Sequence, residues 1–346
     1  MRCCSRPTAV SLKKNEERRM TILVTGSAGH LGEALMRVLR GAGRPVRGID
    51  IKASDFTDQV GSVADPAFVR QATKGVRAVI HAATLHKPHV ATHGYSEFVE
   101  TNIAGTLNLL EAASDANIGA FVFTSTTSAF GSALTPRPDA PAAWITEDVT
   151  PIPRNIYGVS KVAAEGLCEL FARRHGLPVL ILRTSRFFPE ADDDAEVRGR
   201  YETENAQANE LLYRRADIED VVSAHLSALD RAKEIGFGRY IVSAPTPFTP
   251  DDLAALRVDA PSVVLRHFPE CEALYAERGW RLFPTIDRVY VSARATAWLG
   301  WRPKYDFTHL LRSLRRSEDF RSPLAQEIGS KGYHDTVFAE GPYPVA

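Results

Sequence analysis

Residues 21–32 read Thr21-Ile22-Leu23-Val24-Thr25-Gly26-Ser27-Ala28-Gly29-His30-Leu31-Gly32. The first five form a short β-rich apolar run. Glycines then stand at Gly26, Gly29 and Gly32, and an amphipathic stretch runs from Leu31 to Leu39 until Gly41 and Gly43 stop it. A strand that turns into a helix through such a loop has a physical use. Gly26 permits the tight turn, Gly29 lets backbone approach a pyrophosphate, and Gly32 lets the helix pack close to the strand. The helix start, with Ala28, His30 and Leu31 beside it, offers unpaired N–H groups and partial positive charge to phosphates. Glycines alone could mark a simple turn; the strand before and the helix after decide otherwise.

Working outward, Pro45–Asp50 (PVRGID) reads as the next strand, with Asp50 at its end. That carboxylate can accept hydrogen bonds from adenosine ribose hydroxyls and would repel a 2′-phosphate, so the expected cofactor is NAD rather than NADP. Arg47 and Lys52 lie close enough to soften that preference. Asp65 before Pro66 is a helix cap. Val76–His81 is a third strand, Ser96–Ala116 a helix, Phe121–Ser125 a fourth strand, Ile156–Arg174 a long helix and Val179–Arg183 a fifth strand. A helix over Ile218–Asp230 and a strand over Arg239–Ser243 follow. Strands apolar throughout, alternating with helices, imply an α/β protein: a Rossmann-type doubly wound parallel sheet with a smaller C-terminal substrate lobe. Leu134–Pro153 and Phe187–Asn209, the latter with Asp192, Asp193 and Asp194 in a row, read as long loops. The expected division is a disordered extension over 1–19, an NAD-binding domain over 20–185, a substrate-binding lobe over 186–320 interleaved with late Rossmann elements, and a C-terminal tail over 321–346.

The 346 residues carry 42 basic and 42 acidic side chains, so no global field attracts nucleic acid or an anionic membrane, and a small molecule held in a pocket is the expected partner. No apolar run approaches the ~20 residues of a membrane helix. The four cysteines, Cys3, Cys4, Cys168 and Cys271, fit neither a zinc site nor a disulfide framework. A cytoplasmic location is expected. His81 would end a buried strand, and His86, His89 and His93 lack ligand spacing, so no metal is expected.

Tyr157 and Lys161 stand four residues apart, on one face of a helix. A phenol has a pKa near ~10, and a neighbouring ammonium stabilises the phenolate; bringing it to neutrality asks about 4 kcal/mol of its surroundings. Such a phenol can exchange the proton that accompanies hydride transfer. Alone, the pair could be a solvated helix face; its place after the fourth strand gives it weight. That strand ends in five hydroxyls, Thr124-Ser125-Thr126-Thr127-Ser128, at the sheet edge where ligands bind. One of them can polarise a substrate oxygen.

Together these pieces resemble the extended short-chain dehydrogenases/reductases, in their NAD-dependent epimerase/dehydratase branch. The resemblance spans about residues 20–310. It rests on Thr25–Gly32, His81-Ala82-Ala83, Asn102, the hydroxyl-rich segment ending at Gly131, Tyr157 with Lys161, Leu182-Arg183, Asp217–Val221 and Leu299–Pro303. It implies Tyr157 as general acid/base, Lys161 as its electrostatic helper and, aligned on Gly131, Thr126 in the place of the family's serine, with Ser125 next to it. Ala82, Ala83, Asn102, Tyr157 and Lys161 would also contact NAD, and the adenine contact would fall on Ser62 and Val63. The helices around Asn102–Ala116 and Ile156–Arg174 would pair in a homodimer.

Departures bear on substrate. Nucleotide-sugar members carry an asparagine where Arg186 stands and a long insert that the stretch to Arg215 does not resemble. Leu182–Glu190 is more similar to uronate dehydrogenases, in which an arginine grips a sugar carboxylate. Thr127 and Arg186 would then touch substrate; alternatively Arg186 pairs with the nearby acidic run. The expected activity is an NAD-dependent dehydrogenase or reductase acting on a hydroxyl or ketone of a sugar, sugar acid or related polyol. The alternatives are a nucleotide-sugar 4-epimerase or dehydratase, and a non-catalytic NAD-sensing regulator.

Overall fold

The computed structural model describes residues 21–332. Among them the strands are β1 (Thr21–Thr25), β2 (Val46–Asp50), β3 (Gln59–Val60), β4 (Val76–His81), β5 (Ala120–Thr126), β6 (Ala143–Ile145), β7 (Val179–Thr184), β8 (Phe237–Val242) and β9 (Arg288–Tyr290). Seven make one parallel sheet in the order β3-β2-β1-β4-β5-β7-β8, and β6 pairs with β9 apart from it.

Successive residues of a strand face opposite sides, and the sheet uses both. Ile22, Val24, Ile80, Val122 and Leu182 pack under helices His30–Gly41 and Ile218–Ile235. Leu23, Val79, Phe121, Phe123 and Ile181 pack under Gly105–Asp115 and Ile156–His175. Coverage on both faces is why the strands read as unbroken apolar runs. The order reverses between β1 and β4, so the loops leaving their carboxyl ends diverge and open a crevice. A further core, around Leu212, Phe248, Val264 and Phe307, is built mainly from segments later in the chain.

Several boundaries differ from the sequence expectation. The helix over Ser96–Ala116 is a helical turn (Tyr95–Phe98), a π-helical segment (Val99–Ala104) and an α-helix (Gly105–Asp115); the wide turns bring Asn102 inward, where it is buried. Phe187–Asn209 is not a loop: it holds helices Ala195–Arg200 and Thr203–Glu210. The second buries polar side chains that bond to backbone, Asn205 and Asn209 to the Arg281 carbonyl and Gln207 to that of Pro189, so it shows no apolar stripe. Leu134–Pro153 contains β6. The segment expected as a tail begins with helix Pro323–Ile328, whose Leu324 and Ile328 join the core beneath His30–Gly41. The extension over 1–19 and residues 333–346 lie outside the described residues. No described helix is long and apolar enough to cross a membrane.

Candidate active site

The loop after β1 shows why glycine is needed. Gly26 has φ +73°, and a Cβ there would lie 2.8 Å from the Ala83 nitrogen; at Gly32 it would lie 1.9 Å from the Gly26 oxygen. At Gly29 the only near atom is the Gly26 oxygen at 3.2 Å, leaving that side open. Gly29 caps the helix with no side-chain acceptor, so the first-turn N–H groups are not taken by a capping side chain. Asp50 receives the Ala28 N–H at 3.0 Å and the Lys52 N–H at 2.9 Å, which fixes its carboxylate beside the loop.

A cavity of about 890 Å³ starts here. Ala28, His30, Leu31, Asp50, Ser62, Val63, Ala82 and Ala83 line it at this end; Thr126, Thr127, Tyr157, Lys161 and Arg186 line it further on. An uncapped helix start, a cradle that only glycine can form and a carboxylate past the next strand suit the pyrophosphate and adenosine ribose of NAD. Asn102 does not line this cavity. Its amide is fully used: Oδ1 accepts from Leu85 N and Thr84 Oγ1, and Nδ2 donates to Leu85 O and Ser160 Oγ. It ties the loop after β4 to the helix that carries Tyr157. Thr25 Oγ1 similarly accepts from Ala82 N and Ala83 N and pairs with His81 Nδ1 at 2.7 Å. Burial, aided by the Lys161 charge, lowers the His81 pKa to about 3, so the ring is neutral and structural.

Asn155 caps helix Ile156–His175 by accepting from Gly158 N. Tyr157 and Lys161, one turn apart, are both buried. Burial pushes the phenol's pKa up to about 12, against a smaller opposing influence of the neighbouring Thr126 hydroxyl. Lys161 Nζ donates to the Thr124 carbonyl at 2.9 Å, 4.8 Å from the Phe123 ring centre. Burial lowers its pKa to about 7, against the pull of Cys168 and Glu165. The phenol therefore stands above its ordinary value because it is buried.

The hydroxyls of β5 separate cleanly. Ser125 donates to Glu165 Oε1 at 2.6 Å, and Glu165 is paired with Arg183 at 2.7 Å; both are buried. The Ser125 hydroxyl is thus taken up by Glu165, and Thr126 lines the cavity together with Tyr157. Arg186 is also committed: Nη1 reaches Asp192 at 3.2 Å and Asp193 at 3.1 Å, and Nη2 donates to the Ala191 carbonyl at 2.9 Å. It pairs with the acidic run, in the cavity wall rather than on the surface.

The His86 ring lies 6.1 Å from Tyr157, with its pKa lowered to about 3 by burial and by the Lys161 charge. His30 stacks on Phe187 at 6.0 Å, and Arg214, Arg288, Tyr290 and Lys331 also reach the cavity. Arg214, Arg288, Tyr290 and Lys331 come from distant segments, and no local pattern announces their meeting.

A family model described as "NAD dependent epimerase/dehydratase family" matches residues 22–242, more than half the chain. Among similar curated proteins, L-arabinose 1-dehydrogenase (NAD(P)(+)) of Haloferax volcanii is 35% identical over 194 residues, 52% of this chain and 74% of that protein. The NAD-dependent glucose-6-phosphate dehydrogenase of the same organism is 32% identical over 47% of this chain and 66% of that protein. Among solved structures, a short-chain dehydrogenase/reductase superfamily protein from Agrobacterium tumefaciens with bound NAD superposes with TM-score 0.60 at 25% identity, over 89% of this chain and 99% of that one. The glycine cradle, the parallel sheet and these likenesses agree: the chain belongs to the NAD-dependent epimerase/dehydratase family of extended short-chain dehydrogenases/reductases, and it is an NAD-dependent enzyme.

Proposed function

We propose that the chain is a dehydrogenase that oxidises or forms a hydroxyl on a sugar, sugar acid or related polyol. The observation that carries this is that Tyr157, Lys161 and Thr126 line the same cavity as the glycine cradle. NAD, when bound, supplies the hydride acceptor or donor. Thr126 polarises the substrate oxygen. Tyr157 exchanges that oxygen's proton. Lys161, when protonated, places positive charge near the phenol and favours its ionised form. Asp50 selects NAD by its acceptor oxygens, with Ser62 and Val63 toward the adenine, and the lobe over 186–320 completes the substrate side.

The sugar class is supported by relatives named for L-arabinose and glucose 6-phosphate. A panel of free sugars, sugar acids, sugar phosphates and nucleotide sugars, followed by NADH absorbance and product chromatography, tests the reading. Stoichiometric NADH with an oxidised product is expected. A converted nucleotide sugar with no net NADH would replace it by epimerase or dehydratase chemistry. We further propose a homodimer through the two helices flanking Asn102 and Tyr157, on which Val99, Val159 and Leu170 stand exposed.

A further inference from the structure

The first turn of the cofactor helix carries a buried carboxylate. Glu33 follows Gly32 directly, within helix His30–Gly41. Burial acts to raise its pKa, but hydrogen bonds and charge from Lys331 and Arg37 hold it below the usual carboxylate value, so it is ionised. Negative charge in a first turn suits the helix itself, yet it opposes phosphates arriving at the same N-terminus. Arg37 is divided between Glu33 and Glu327. The other countercharge is Lys331, which pairs with Glu33 and lines the cavity together with His30.

Lys331 is delivered by a segment fastened along its length. Ser322 N donates to Asp217 Oδ2 at 3.0 Å, and Leu324 and Ile328 pack in the core beneath the cofactor helix. Glu327 pairs with Arg37, and Ser330 Oγ donates to Glu190 Oε1 at 2.7 Å. All of these late residues lie beyond 22–242, the stretch that matches the family model. Glu190 also lines the cavity, and the charges of Glu190, Glu33 and Lys331 all act on the His30 ring in the glycine loop. Without Lys331, two carboxylates would stand at this end of the cavity against a guanidinium that is already shared.

We propose that residues 322–332 complete the cofactor site, with Lys331 as a positioning residue that neutralises Glu33 and so admits the pyrophosphate of NAD. Docking of this segment and binding of NAD then favour each other, since a coupling between two binding events is reciprocal. The inference concerns the cofactor and holds whichever substrate is turned over.

The test uses the full chain and reads affinity rather than turnover, by calorimetry with NAD and by displacement of fluorescent NADH with ADP-ribose or with millimolar adenosine. Lys331→Met should weaken NAD and ADP-ribose, which carry the pyrophosphate, about fivefold or more, and adenosine, which lacks it, less than about twofold. Lys331→Arg should keep NAD affinity within about threefold of the wild type. Glu33→Gln added to Lys331→Met should recover most of the loss, because it removes the charge that Lys331 answers. Thermal unfolding of each unliganded variant verifies that it is folded. Unchanged NAD affinity in a folded Lys331→Met protein, an equal loss for adenosine, or a loss that Glu33→Gln leaves in place would overturn the proposal.

Discussion

Replacing Lys161 by methionine should make the protein more stable at neutral pH and less stable at alkaline pH. The Lys161 ammonium is buried, with its pKa lowered to about 7, whereas an unfolded lysine titrates near ~10.4. Between these values the unfolded chain binds a proton that the folded chain does not, so wild-type stability rises with pH, by up to about 1.4 kcal/mol per pH unit. Below pH 7 both states are protonated and the full cost of burial, roughly 5 kcal/mol, is present. Methionine has similar length and no charge, so it removes that cost. It also leaves the Thr124 carbonyl without its 2.9 Å donor, a loss of about 1–3 kcal/mol. Glu165 remains compensated by Arg183 and Arg239, so no second charge is stranded. The variant should therefore exceed the wild type by about 2–4 kcal/mol at pH 6 and fall below it by about 1–2 kcal/mol at pH 10. Urea unfolding followed by tryptophan fluorescence across pH 6–10 reads both curves. Curves that run parallel would refute the argument, because they would mean that Lys161 keeps the same proton affinity folded and unfolded. A residue that costs stability where it stands is what an active site is expected to contain.

Tyr157→Phe removes the phenol without orphaning Thr126, which still accepts from Ser128 N at 3.0 Å; turnover on the identified substrate should fall about 10²–10⁴-fold with NAD affinity within a few-fold, by steady-state assay and calorimetry. Gly32→Ala places a methyl carbon 1.9 Å from the Gly26 oxygen, so the cradle must shift; thermal unfolding should show a marked loss of stability, and NAD titration a loss of binding of more than tenfold. Light scattering should return twice the 38.0 kDa chain mass, and Val159→Glu together with Leu170→Glu should return the chain mass itself; a wild-type monomer would refute the dimer.

The glycine loop, the sheet and the pairing of Tyr157 with Lys161 on one helix face were legible in the sequence. Each depends on local rules: strand alternation, the 3.6-residue turn, and a backbone approach that excludes Cβ. The helices within Phe187–Asn209 were not legible. Asn205, Gln207 and Asn209 face inward to satisfy distant carbonyls, so the burial pattern that marks a helix is written in polar residues. The π-helical segment around Asn102 was equally hidden, because its wide turns serve contacts with Leu85 and Ser160 rather than any local preference.

The Ser125 hydroxyl is taken by Glu165, forty residues away, a partner that no local pattern announces. For Arg186 the sequence left a substrate contact and a pairing with the acidic run both open, and the fold sets Asp192, Asp193 and Glu210 around it. What the chain order determined by itself was the glycine loop, where strand, loop and helix are contiguous and backbone geometry alone requires the glycines. What only tertiary structure decided was the rest of the cavity, where side chains from β5, β9 and the segment before Ile218 meet. Charge balance there is a property of three-dimensional neighbours: Coulomb interactions follow distance in space and the loss of water, and neither is encoded by spacing along the sequence.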